Sequence, residues 1–174
     1  DSLSVSRNGL AAGAGVPDAG IRLDGDGSTV SRCALEDNVG AGVLVMASSR
    51  ANVITRNRVA GNGTVAGAAG VTGQIGIDLL SDEDDDARGT APFVTLNGKG
   101  DGDRGGNRLL NFPVLASAVL ANGQFTVSGW ARPGSTIELF VAALDPSGFG
   151  EGRTWLATFV EGSAADLDET ASGY

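Results

Sequence analysis

The residues best equipped for chemistry in this chain are acidic, and they cluster. Ser81-Asp82-Glu83-Asp84-Asp85-Asp86 is one acidic run, and Asp101 and Asp103 follow in a Gly/Asp loop over residues 98–106. Calcium takes six to eight oxygen ligands from carboxylates, carbonyls and water. Asp82, Asp84, Asp86, Asp101 and Asp103 are candidate ligands for such an ion, which would rigidify this part of the chain. The spacing departs from the twelve-residue calcium loop, because the last position lacks its Glu and the loop holds Lys99 and Arg104. The competing reading is a solvated acidic loop. Asp24-Gly25-Asp26-Gly27 is a weaker candidate, since Asp-Gly is ordinary turn chemistry.

Other chemistry is poorly supplied. The chain has no His to activate a nucleophile, so Cys33, the single cysteine, reads as a small core hydrophobe. Arg56 and Arg58 flank Asn57 and read as a solvated face. Trp130 and Trp155 fall in strand-like runs and read as core, with stacking against a sugar as the alternative. A formal charge of −9 argues against nucleic acid and anionic membrane as partners, because both need a basic face. No apolar run is long enough for insertion into a membrane as a helix.

The elements that must position these groups are short and repeated. Ile21-Arg22-Leu23, Val43-Leu44-Val45 and Ile77-Asp78-Leu79 superpose, each behind a glycine at Gly20, Gly42 and Gly76. Between them, Ser28-Thr29-Val30-Ser31-Arg32 and Asn52-Val53-Ile54-Thr55-Arg56 lead into turns rich in Asn and Gly. Val30 and Ile54 lie 24 residues apart, as do Asn38 and Asn62. Alternation with period two puts neighbouring side chains on opposite faces. One such coil cannot bury its apolar face alone, whereas stacked coils build a continuous core. Val30, Val43, Val45, Ile54, Ile77 and Leu79 are therefore expected inside, in columns. Asn8, Asn38 and Asn62 are expected at one corner, where an inward Asn satisfies backbone groups of the next coil.

After Leu79 the repeat ends. Residues 93–96 could form one strand, and strand-like runs follow at 114–120, 124–131, 136–143 and 154–160. Turn signals divide them, which predicts an antiparallel sandwich with Phe125, Val127, Ile137, Leu139, Val141, Trp155, Ala157 and Phe159 facing inward. Four strands are too few for a sandwich of about seven, so the module reads as partial.

The stretches at 20–23, 42–45 and 54–63 resemble the right-handed parallel β-helix family with pectate-lyase-like coils. Gly76-Ile77-Asp78-Leu79, the acidic loop and Asn107-Arg108-Leu109-Leu110-Asn111-Phe112-Pro113-Val114-Leu115 are similar to a recurrent ending of bacterial surface β-helix proteins. The stretch 145–152 resembles a loop of immunoglobulin-like, adhesin-type modules. These resemblances imply an all-β chain. The last coils of a right-handed parallel β-helix would occupy residues 1–80, an acidic capping and linking segment 81–112, and a partial antiparallel β-sandwich module 113–174. They also imply a secreted or cell-surface setting, with a surface glycan, another protein or self-association through exposed strand edges as partner. Because the chain opens within a coil pattern, further coils are expected upstream. The β-helix family also includes polysaccharide lyases and hydrolases. No Asn-Thr-Asp, Gly-His-Gly or Arg-Ile-Lys motif of the polygalacturonase-like enzymes occurs here, nor the Asp-Pro-His of alginate epimerases. The expectation is a non-catalytic structural or adhesion module. A terminal piece of a polysaccharide-active enzyme with its active site upstream, or a carbohydrate-binding module, is the alternative.

Overall fold

The computed structural model describes residues 3–11, 13, 15–99, 103–164, 166 and 167. Its first part contains eight strands of three residues each: β1 (Ser4–Ser6), β2 (Ile21–Leu23), β3 (Thr29–Ser31), β4 (Ala34–Glu36), β5 (Val43–Val45), β6 (Val53–Thr55), β7 (Arg58–Ala60) and β8 (Ile77–Leu79). The chain deals them in rotation to three parallel sheets, β1-β4-β7, β2-β5-β8 and β3-β6. That order is solenoid-like.

Left-handed turns keep the strands short. Arg32 and Arg56 follow β3 and β6 with φ of 54° and 53°. Arg7, Asp37 and Gly61 do the same after β1, β4 and β7, at 57°, 53° and 71°. A non-glycine residue in this conformation costs about 1–2 kcal/mol. Here the stacking of equivalent turns, with ladder hydrogen bonds between coils, holds it in place.

The register builds the expected columns. Val5, Leu35 and Val59 pair in one, Leu23, Val45 and Leu79 in another, and Val30 pairs with Ile54. Leu23, Val30, Leu35, Val43, Val45 and Val59 form one buried cluster drawn from all three sheets. Ile77 corrects the expected core list: it pairs with Val43 but is 40% exposed, because no further coil lies over β8. Leu44 points the opposite way from Val43 and Val45, yet is fully buried in a second cluster with Ala41, Met46 and Leu80 on the outer side.

The second part consists of two antiparallel hairpins, β9 (Val114–Ala121) with β10 (Gln124–Trp130), and β11 (Thr136–Ala143) with β12 (Glu151–Val160). Asn122 and Gly123 join the first pair with φ of 50° and 77°, the backbone that matches strand twist in a two-residue hairpin. The hairpins remain separate two-stranded sheets. The expected inner face is consequently open: Phe125, Val141, Trp155 and Phe159 are 40–51% exposed. Four strands cannot cover both sides of such a core. Trp130 and Trp155, expected in the core, are also substantially exposed for this reason. Residues 93–96 form no strand; Phe93 is left-handed, with φ of 62°, which breaks an extended run.

Candidate functional site

The acidic run is a series of turns in which carboxylates serve the backbone. Asp84 Oδ2 accepts the Ser81 N–H at 2.6 Å. Asp85 Oδ1 accepts the N–H groups of Ala87 and Arg88, both at 3.0 Å. Asp86 contributes its carbonyl, which accepts from Arg22 at 2.8 Å. Asp82 is exposed, Asp103 lies beside Gly98 in the second loop, and Asp101 falls outside the described residues. Among the described residues, no group of three or more His, Cys, Asp or Glu side chains gathers to hold a metal ion.

Residues 82–90 return across the outer face of β2-β5-β8. Arg88 anchors them, donating to the carbonyls of Val16 and Gly13 at 3.3 and 2.9 Å. Its Nε also stands 3.0 Å from Asp18 Oδ2. That pair is electrostatic only, because the Nε–H is aligned on Val16 and leaves Oδ2 without a hydrogen bond. Asp18 is itself buried and accepts from Gln74 Nε2 at 3.0 Å, while Gln74 Oε1 accepts the Ala41 N–H at 3.1 Å. On the edge strand β8 of this face lies Asp78, 3% exposed, with Oδ2 lacking any hydrogen-bond partner. Burial, with repulsion from Asp84 added, pushes its carboxyl up to about 7. Gly89 sits directly against it; a Cβ there would stand 2.3 Å from Asp78 Oδ2.

The corner asparagines form the expected ladder. Asn38 Oδ1 accepts the Asn8 N–H at 3.1 Å, and Asn62 Oδ1 accepts from Asn38 Nδ2 at 2.8 Å. The Asn38 and Asn62 amides also donate back into the preceding coil, Asn38 Nδ2 to the Val5 carbonyl at 3.3 Å and Asn62 Nδ2 to the Leu35 carbonyl at 2.8 Å. A second column runs through Asn57, which accepts the Cys33 N–H at 2.9 Å and donates to Val30. A third runs through Asn52, which accepts the Ser28 N–H at 2.8 Å.

At the last coil, downstream residues supply acceptors to the Asn62 and Asn52 columns and to Thr55 and Arg56, beside the Asn57 column. Glu151 accepts the Asn62 N–H on both oxygens, at 3.3 and 3.2 Å, and the Asn62 side-chain amide at 2.8 Å. Burial raises the Glu151 carboxyl above its ordinary range, while the bonds from Asn62 pull the other way. Glu138 accepts the Arg56 N–H at 2.8 Å and the Thr55 hydroxyl. Asn107 closes the third column, accepting the Asn52 N–H at 3.0 Å and donating to the Asn52 carbonyl at 2.8 Å. It sits in a turn where Asn107, Arg108 and Leu109 are all left-handed, with φ of 46°, 60° and 50°. The cap of the coil stack is thus this turn and the second hairpin. Within the segment 81–112, Asn107 meets the last coil at Asn52, while Asp86 lies on the flank beside Arg22. Glu138, Glu151 and Asn107 are the functional residues that spacing missed.

A groove of about 400 Å³ runs along the opposite flank, lined by Leu3, Ser4, Arg32, Cys33, Ala34, Arg56 and Arg58. Arg56 lies over the Trp155 ring, 4.9 Å from its centre, and Arg58 pairs with Glu36 at 2.7 Å. Cys33 packs against the core and its thiol faces the Ser31 carbonyl, as expected of a small hydrophobe. The groove offers the guanidinium groups of Arg32, Arg56 and Arg58 beside Ser4 and Cys33.

No family model matches this chain, and neither the curated proteins nor the solved structures contain a match.

Proposed function

We propose that this chain is a non-catalytic structural module of a secreted or cell-surface bacterial protein: the end of a right-handed parallel β-helix, closed by side chains of an immunoglobulin-like module. The observation that carries this reading is the use made of the carboxylates. Glu151 and Glu138 are committed to backbone and amide groups of the last coil, and Asp84 and Asp85 to their own turns. Carboxylates that act on glycosidic bonds face a substrate from two sides, whereas these are engaged by the last coil and by their own turns. The joined elements suit a rigid spacer that carries contacts to a surface glycan or protein along its flanks.

The test is incubation with a panel of neutral and uronic-acid polysaccharides, assayed for new reducing ends and unsaturated products. The expected result is no product above a heat-treated control. Product that disappears in Glu138→Gln or Asp78→Asn would overturn the reading. Calcium belongs to the same proposal as a stabiliser of the acidic segment. A thermal transition several degrees higher with calcium than with chelator, lost in Asp101→Ala/Asp103→Ala, would place the ion there. An unchanged transition leaves those groups as turn caps and solvated surface.

A further inference from the structure

We propose that residues 82–90 are a proton-dependent flap, latched over the outer face of β2-β5-β8 by the neutral, buried carboxyl of Asp78 and released when that carboxyl ionises. The geometry sets the device. Asp78 pairs across the ladder with Leu44, which is fully buried, so its rung offers an apolar neighbour and no donor. Over it lies Gly89, whose backbone approaches so closely that no side chain fits between. Asp78 Oδ2 is buried without a hydrogen bond, which a neutral carboxyl tolerates far better than a charged one.

The charges around the latch offer the ionised form no relief. From β2, Arg22 is engaged by the Asp86 carbonyl and by Asp24. From the flap, Arg88 is spent on Asp18 and on the carbonyls of Gly13 and Val16. Asp84 adds repulsion, and Asp85 and Asp86 bring further negative charge on the same segment. Arg104 and Arg108, from the turn packed on the end of β8, form no ion pair with Asp78. The carboxyl, raised to about 7 from 3.8, is therefore uncharged at mildly acidic pH and charged above neutrality. Ionisation leaves an unpaired buried anion, relieved by lifting Gly89 and admitting water. A separation of about three pKa units allows the closed-to-open ratio to change by up to about a thousand-fold. Opening would uncover Leu80, against which Gly89 packs.

The experiment is amide exchange by NMR at pH 5 to 8, corrected for intrinsic rates. The Arg88 and Gly89 amides, bonded to the Asp85 carbonyl at 3.2 and 2.7 Å, report on the flap, and those of Val43–Val45 on the coils. The expected result is flap protection falling at least about tenfold across this range, with coil protection unchanged. Asp78→Asn, an isostere fixed in the neutral state, should abolish the fall. Carbon-13 titration of Asp78 in the unaltered chain provides a readout independent of any variant, and its midpoint should coincide with the loss of Gly89 protection. Flap protection that is flat with pH would overturn the proposal. So would an unchanged slope in Asp78→Asn, or an Asp78 midpoint in the ordinary carboxylate range.

Discussion

Replacing Glu151 with Ala removes the acceptor beneath the longest asparagine ladder, and its effect can be worked out group by group. The Asn62 N–H loses both of its bonds and is left buried, which costs about 1–3 kcal/mol. The Asn62 side-chain amide loses a bond to a charged group but keeps the Leu35 carbonyl, so its share is about 1 kcal/mol. Against this stands relief from burying a carboxylate, visible in the upward shift of Glu151. The net expectation is a loss of about 2–4 kcal/mol. Glu151→Gln keeps one oxygen acceptor and carries no charge, so its loss should stay near 1 kcal/mol. Urea unfolding followed by far-ultraviolet circular dichroism and by the fluorescence of Trp130 and Trp155 measures both. With a slope of about 1–3 kcal/mol per molar urea, the Ala variant should unfold about 1–2 M earlier. An Ala variant within about 0.5 kcal/mol of the parent would refute the capping argument.

The other predictions use the same physics. Stability should rise as pH falls from 8 towards 5. The contribution of Asp78, raised to about 7, is fully present below 3.8 and lost as pH rises through about 7, and Glu151 shifts in the same direction. At pH 8, Asp78→Asn should therefore stabilise the chain by about 2–4 kcal/mol, limited by how easily the flap opens, and by much less at pH 4; equilibrium unfolding at both values reads it. Gly63→Ala should be among the most damaging single changes, because φ is +72° and a Cβ would stand 2.0 Å from the Gln74 carbonyl. A loss above about 3 kcal/mol is expected in the same urea assay. Glu138→Ala should cost about 1–2 kcal/mol and raise exchange at the Arg56 amide.

The coils were legible in the sequence because their signals are local and recur. Gly20, Gly42 and Gly76 mark strand starts, and the 24-residue separation of Asn38 and Asn62 marks a stacked corner. The hairpin strands were legible from alternation and from turns such as Asn122-Gly123. What closes the coils was not. Glu151 reaches Asn62 across 89 residues and Glu138 reaches Arg56 across 82, so no periodicity announces either. The nearest local sign is the isolation of Glu151 between Gly150 and Gly152. Ile77 follows the pattern of Val43 in every respect but one: nothing stacks beyond it. The acidic run has the composition of an ion site, whereas the buried acid of that region, Asp78, lies inside a strand motif whose alternation gives no sign of its burial.

The central claim is that the second hairpin closes the coil stack, so that the two behave as one unit. Equilibrium unfolding of the whole chain tests it most directly, with Trp130 and Trp155 fluorescence reporting the hairpins and amide exchange at Val43–Val45 reporting the coils. The account predicts one transition, coincident by both probes, that separates into two when Glu151 and Glu138 are both replaced by Ala. Two well-separated transitions in the unaltered chain would contradict it.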